Sequence, residues 1–193
     1  MLFKLNRIQE SLIDSLYRLN FIAKNEEILT ECVKEYRAFS ILGEKFGPFE
    51  IGKKYKLKLF KAIQFIKFHI LKIVSEEKYD SIDMQRYAIT ERDDPRLTFL
   101  KDNRFINKLK EFRIFTKLDI ENGIKPQNFL DNYNSYFQSL LDSRLQKILR
   151  MSKSELSIDD EKRLSDPEQV LFKIIHEIIS TWRNFFLKEK EDI

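Results

Sequence analysis

One cysteine, two histidines, four glycines and four prolines are all that 193 residues contain of the types that most constrain chemistry and backbone. Cys32 has no internal partner for a disulfide, which points to a reducing compartment. It would act as a nucleophile only with a histidine or another base near it in space, and it reads instead as a small buried residue on a strand. His69 and His176 stand at no metal-ligand spacing from Cys, Asp or Glu, and no metal site is expected. Carboxylate pairs such as Asp93-Asp94 and Asp159-Asp160 fall in expected loops and helix ends, where capping and solvation account for them. The chain is therefore expected to have no catalytic, cofactor-binding or metal-binding residues and to work without a cofactor. Long apolar runs are missing too: none approaches the ~20 residues needed to span a bilayer. The first twenty residues are broken by Lys4, Arg7, Glu10 and Asp14, unlike the apolar segment of a signal peptide. The expectation is a soluble intracellular protein with no membrane partner.

Charge of one sign is also scarce. The 35 basic and 31 acidic residues leave a net +4, so any attraction to a polyanion must come from clusters rather than the total. Lys101, Arg104 and Lys108 share one helical face, Lys110, Arg113 and Lys117 another, and Lys54, Lys56 and Lys58 line a strand. Such rows can follow a phosphate backbone. A solvated face in a lysine-rich protein and edge-strand protection explain them more simply than DNA contact does.

What glycine there is lies concentrated. Gly43, Gly47 and Gly52 fall within ten residues around Pro48, in Gly-Glu-Lys-Phe-Gly-Pro-Phe-Glu-Ile-Gly. The spacing fits neither a P-loop nor a dinucleotide fingerprint, so phosphate cradling is not expected. A sharp turn between strands is.

Around that turn, Ile28 to Val33, Tyr36 to Leu42 and Phe68 to Val74 read as short strands, and Phe60 to Lys67 as a short helix. Tyr55, Leu57 and Leu59 alternate with Lys54, Lys56 and Lys58, which predicts a strand with one buried and one wet face. Before it, Leu5, Ile8, Leu12, Leu16 and Leu19 repeat at helical spacing over residues 3 to 19. After residue 76 strand alternation stops. Asp80 or Ser81 caps a helix to about Arg92, and Asp102 caps another with Phe105, Ile106, Leu109 and Phe112 on its inner face. Leu130, Tyr133, Phe137, Leu140, Leu141, Leu145 and Ile148 mark a long helix from Gln127 to about Met151. Ser152 to Leu164 reads as a polar mobile link. Asp166 then caps a last helix to about Lys188, with Pro167 at its first position and Gln169 closing a capping box. That helix carries an apolar stripe too wide for one neighbour and ends in Trp182-Arg183-Asn184-Phe185-Phe186, a composition suited to a partner surface and equally to a four-helix core within the chain, between which the sequence does not decide.

The fold class is accordingly α+β: a small β-rich domain with an extra N-terminal helix over 1–76, then a mainly helical bundle over 77–193, helix dominating overall.

Phe46-Gly47-Pro48-Phe49, then Gly52 and the alternating strand into Leu59-Phe60-Lys61-Ala62, resembles the small β domain of GINS subunits, nearest the second and third eukaryotic types and their archaeal counterpart. The similarity runs on through Ile82 to Arg92, through Asp142-Ser143-Arg144-Leu145-Gln146-Lys147-Ile148 and into the terminal helix, about residues 19 to 190. Where the family commonly has proline and tryptophan after the third strand, this chain has Lys58 and Phe60. The resemblance implies a non-enzymatic replication scaffold that assembles with a second GINS subunit type in a hetero-tetramer. It would link the MCM replicative helicase to a RecJ-related companion, with any DNA contact indirect. It also implies a nucleoid-associated place in the archaeal cytoplasm, or the nucleus in a eukaryote. Tyr133, Phe137, Arg144, Ile178, Trp182, Phe185 and Phe186 are the candidate interface, and Lys101, Arg104 and Lys108 the weaker candidate DNA contact. A stand-alone basic nucleic-acid-binding protein is the alternative.

Overall fold

A computed structural model describes residues 2–41 and 43–187, the first five of these by backbone alone. The chain is α+β with helix dominant, 61% against 12% strand. Helix α1 (Leu2–Lys24) leads into strands β1 (Glu27–Cys32), β2 (Phe39–Ile41), β3 (Glu44–Phe46) and β4 (Lys54–Lys58). Helix α2 (Leu59–Lys67), strand β5 (Leu71–Ile73) and a 3₁₀ turn at Ser75–Glu77 follow. The rest is helical: α3 (Ser81–Asp93), α4 (Phe105–Glu121), α5 (Asn128–Met151), the single turn α6 (Ile158–Glu161) and α7 (Asp166–Leu187). The side chain of Leu5, Leu42 at the expected end of the second strand, and Lys188 at the expected end of the last helix lie outside the described residues.

Strand β1 is central in an antiparallel sheet of order β4-β1-β5, while β2 and β3 form a separate hairpin. On the inner face β1 turns Ile28, Thr30 and Cys32 inward, as period-2 alternation requires. On the wet face Glu27 and Glu31 stand directly across from Lys58 and Lys54. The glycine-rich stretch is more than a turn, because Glu44–Phe46 within it pairs with Phe39–Ile41 as a strand. Its two phenylalanines, Phe46 and Phe49, are buried with Cys32, Phe65, Ile70 and Leu71. The Gly47-Pro48 peptide is cis. The Tyr55 hydroxyl donates to the Pro48 carbonyl at 3.1 Å and accepts from the Glu50 N–H at 2.9 Å, tying the stretch to β4. Gly47 has φ +76°, and an added Cβ would lie 3.1 Å from the Phe49 nitrogen, so a larger residue there is both strained and crowded.

His69, expected in a strand, instead sits after α2 at φ 55°. The strand is shortened to three residues because the turn through Phe68 and His69 is needed to bring the chain from α2 back to β1.

The sheet and the helices share a core. Ile28, Leu59, Ala62, Ile63 and Ile73 pack in one buried cluster with Phe112 and Phe115 of α4. Helix α1 extends past the expected residue 19 to Lys24 and packs against α7, α4 and α2. Its end is fixed to α4 by Asn20 Nδ2 donating to Glu111 Oε1 at 2.9 Å and by Lys24 at 3.3 Å from the same carboxylate.

Capping follows the sequence closely at α3, where the Asp80 side chain accepts from Ile82 and Asp83 and Asp83 accepts from the Asp80 N–H, a complete capping box. Asp102 accepts from the Arg104 N–H rather than from inside α4. At α7 the carboxylate arm of a box lies one residue earlier than expected: the Ser165 N–H and hydroxyl both donate to Glu168 Oε2, at 2.8 and 2.7 Å.

Ser152 to Leu164 is not a mobile link. Ser152 and Leu164 are buried, Ser157 caps α6, and Arg163 Nη1 donates to the Leu97 carbonyl at 2.9 Å. Its polar composition misleads because the backbone carbonyls and a few anchors, not an apolar stripe, hold it.

Candidate protein interface

The end of α7 is exposed and apolar. Ile178 is 50% exposed, Trp182 64%, Phe185 78% and Phe186 65%, and Leu187 extends the patch. The helix places 178, 182, 185 and 186 on adjoining turns, so the aromatic rings meet: Trp182 to Phe186 and Phe185 to Phe186 are each 5.1 Å between centroids. Next to this patch α1 and α7 form an open groove of about 570 Å³ lined by Ile8, Ser11, Ile174, Ile178 and Trp182. Arg7 and Glu177 stand at its rim. Tyr17, Phe21 and Ile22 add exposed apolar side chains on α1 itself. Monomer surfaces seldom expose aromatic groups in such numbers on neighbouring turns.

The other candidate interface residues lie elsewhere. Tyr133 is buried, its hydroxyl donating to the Leu109 carbonyl at 2.7 Å, and burial holds its phenol well above the ordinary tyrosine range. Phe137 is half-buried against the same cluster of α3, α4 and α5 side chains. Tyr133 offers no free surface, and Phe137 only part of its ring.

Arg144 is the centre of a buried ion network, also not at the surface. Its Nη1 donates to Glu91 Oε2 at 2.7 Å and to the Thr98 carbonyl at 3.1 Å. Nε and Nη2 reach Glu168 at 2.6 and 2.9 Å, and Nη2 also reaches the Arg163 carbonyl at 2.7 Å. All the N–H donors of the guanidinium are thereby used. Lys147, one turn on, reaches the other oxygen of Glu91 at 2.5 Å and the Arg96 carbonyl at 2.8 Å. Two cations and two carboxylates cancel, which is what makes their burial tolerable. Burial alone would lower the Arg144 pKa, but the hydrogen bonds and charge of Glu168, and the charge of Glu91, raise it above the ordinary value. The network joins α3, α5 and α7 and is a clamp beneath the surface.

Leu141 and Leu145, expected on the inner stripe of α5, are partly exposed, because Arg144 and Lys147 hold the inner positions. The spacing itself was a signal: 133, 137, 140, 144 and 147 step by three and four.

The basic residues marked for DNA are engaged inside the chain. Lys101 lies 4.7 Å over the Tyr79 ring. Arg104 pairs with Glu26 and stands 3.4 Å from Asp166, and Lys108 reaches Glu26 at 2.7 Å and Asp102 at 2.8 Å. Burial lowers the Lys108 pKa, yet its hydrogen bonds to Asp102 and Glu26 outweigh that and raise it. Arg104 and Lys108 stitch the α1–β1 corner to α4 and α7, so of the expected row only Lys101 is exposed without a carboxylate partner among the described residues.

His176 is half-buried, its ring stacked on Phe172 and its Nδ1 3.1 Å from the Ser152 carbonyl. Among the described residues no group of three or more His, Cys, Asp or Glu is placed to hold a metal ion. None of the described helices is long and apolar enough to cross a membrane. Comparison with models of known families finds no match for this chain, and comparison with curated proteins finds none either.

Proposed function

We propose that the chain is a non-enzymatic scaffold subunit of the GINS type, using the exposed aromatic end of α7 as its assembly surface. The observation that carries this reading is the Trp182, Phe185 and Phe186 cluster, contiguous with the apolar α1–α7 groove and held out on a rigid helix. Interfaces are enriched in such aromatic anchors, and permanent assemblies in apolar ones. The clamp around Arg144 supports it from beneath by fixing α7 to α3 and α5. In this reading a second GINS subunit type covers α7. The assembly then links the MCM helicase to a RecJ-related companion, and DNA is met through those partners.

Tagged full-length chain, purified from its native cell, should bring down the second GINS subunit and MCM. The combined variant Trp182→Ser, Phe185→Ser should lose both while keeping the helical circular dichroism of the parent. Recovery of neither partner by the parent chain would overturn the proposal.

A further inference from the structure

Among the described residues no strand pairs with the outer edge of β4, and the orientation of that edge follows from two hydrogen bonds. Leu59 N–H donates to the Glu26 carbonyl at 2.8 Å, and Cys32 N–H donates to the Lys53 carbonyl at 2.9 Å. In an antiparallel ladder, bonded and non-bonded pairs alternate. With Ile28 opposite Leu57 and Thr30 opposite Tyr55, those pairs take the bonded positions. The N–H and C=O groups of Lys54 and Lys56, and the N–H of Lys58, therefore point away from β1. Among the described residues no loop or turn bond reaches the Lys54 or Lys56 backbone.

The side chains of the same residues stand on the wet face and are exposed. Within the sheet Lys58 has Glu27 directly opposite, while Lys54 and Lys56 are less well supplied with carboxylates. Glu31, opposite Lys54, is engaged by Lys72 of β5 at 3.2 Å, and Lys56 faces Leu29. Tyr55 and Leu57 turn to the other face and are half-buried beside the core. An incoming strand thus meets ammonium groups on one side and apolar surface on the other.

We propose that the free edge of β4 docks an extended peptide segment of a partner protein, acidic residues alternating with apolar ones, by strand addition. The backbone supplies donors and acceptors in the register a strand needs. The lysines select acidic side chains at the directly opposed positions, where opposite charges attract and like charges repel. A second copy of β4 would set lysine against lysine and is excluded by the same rule. A phosphate backbone would satisfy the ammonium groups but bring oxygens against the outward carbonyls of Lys54 and Lys56. The surface is separate from α7, so the proposal stands apart from the scaffold reading.

The test is fluorescence anisotropy of the full chain with a labelled peptide of about ten residues alternating glutamate and valine. Comparison probes are the lysine-valine peptide, an alternately N-methylated glutamate-valine peptide and oligothymidylate. The glutamate-valine peptide should bind and slow hydrogen exchange at the Lys54 and Lys56 amides. Lys54→Glu, Lys56→Glu should weaken that binding by roughly tenfold or more and favour the lysine-valine peptide. Both positions are exposed, and circular dichroism checks that the variant folds. Unchanged affinity in the variant, equal binding of the N-methylated peptide, or tighter binding of oligothymidylate without amide protection would each overturn the proposal.

Discussion

Arg144 Nη1 lies 2.7 Å from Glu91 Oε2, with the arginine side chain 1% exposed and the glutamate fully enclosed. Fifty-three positions separate them in sequence, so this pair ties α3 to α5 across the helical half of the chain. Removing one member of such a pair leaves the other charge buried and uncompensated.

Arg144→Met is therefore expected to destabilise the fold by about 3–5 kcal/mol. Urea unfolding should show it as a lower midpoint. The double variant Arg144→Met, Glu168→Gln should recover part of the loss, because it removes the carboxylate that the single change abandons. A single variant as stable as the parent would show that the network contributes nothing net.

Tyr133→Phe deletes a buried hydroxyl bonded to the Leu109 carbonyl, at a cost of about 1 kcal/mol. The same substitution tests the pH dependence. Burial raises the folded phenol above its ordinary value, so above pH ~10 the unfolded chain binds fewer protons than the folded one. Stability then falls as pH rises beyond that point, and below it the contribution is fully present. Unfolding followed from pH 8 to 11, on the scale set by the ordinary tyrosine value of about 10, should give a shallower decline for the variant.

Gly47→Ala and Gly43→Ala separate conformation from space. Both sites have positive φ, and only Gly47 would also press a methyl group to 3.1 Å from the Phe49 nitrogen and 3.4 Å from the Ala38 Cα. Gly43→Ala should cost about 1–2 kcal/mol from the left-handed backbone alone. Gly47→Ala should cost more, and thermal melts of the two variants side by side measure the difference.

Along α7 itself, Phe172→Ala and Phe185→Ala make a second pair. Phe172 is buried with Leu97, Ile148 and Leu164, so its loss should cost about 3–5 kcal/mol. Phe185 is exposed and should change stability by no more than about 0.5 kcal/mol. Equal effects in denaturant unfolding would mean that α7 is seated differently.

Periodic segments were legible in the sequence. The lysine-backed strand β4, the Asp80 cap of α3 and the apolar end of α7 all follow from local pattern, which reads one residue's neighbours along the chain. The clamp was not legible in the same way. Arg144 occupies an inner position of α5, but what makes its burial tolerable is Glu91 on α3 and Glu168 on α7, and no local rule pairs residues so far apart. Reading charge as surface therefore shifted the α5 stripe onto Leu141 and Leu145. Ser152 to Leu164 failed for a related reason: composition reports how little a segment can bury, not how many carbonyls its neighbours can anchor. Arg104 and Lys108 looked free because their partner Glu26 lies in a different part of the chain.

Phe112 and Phe115 reach from α4 into the cluster built by β1, α2 and β5. Cutting the chain at the 3₁₀ turn would take the sheet and α2 side of the cluster away from both phenylalanines and lay open Ile28, Ile63 and Ile73 on the other fragment. The sheet and the helices are thus interdependent for folding, and calorimetry should record one cooperative transition. A load applied through α7 is in that case carried to the small sheet without an intervening hinge.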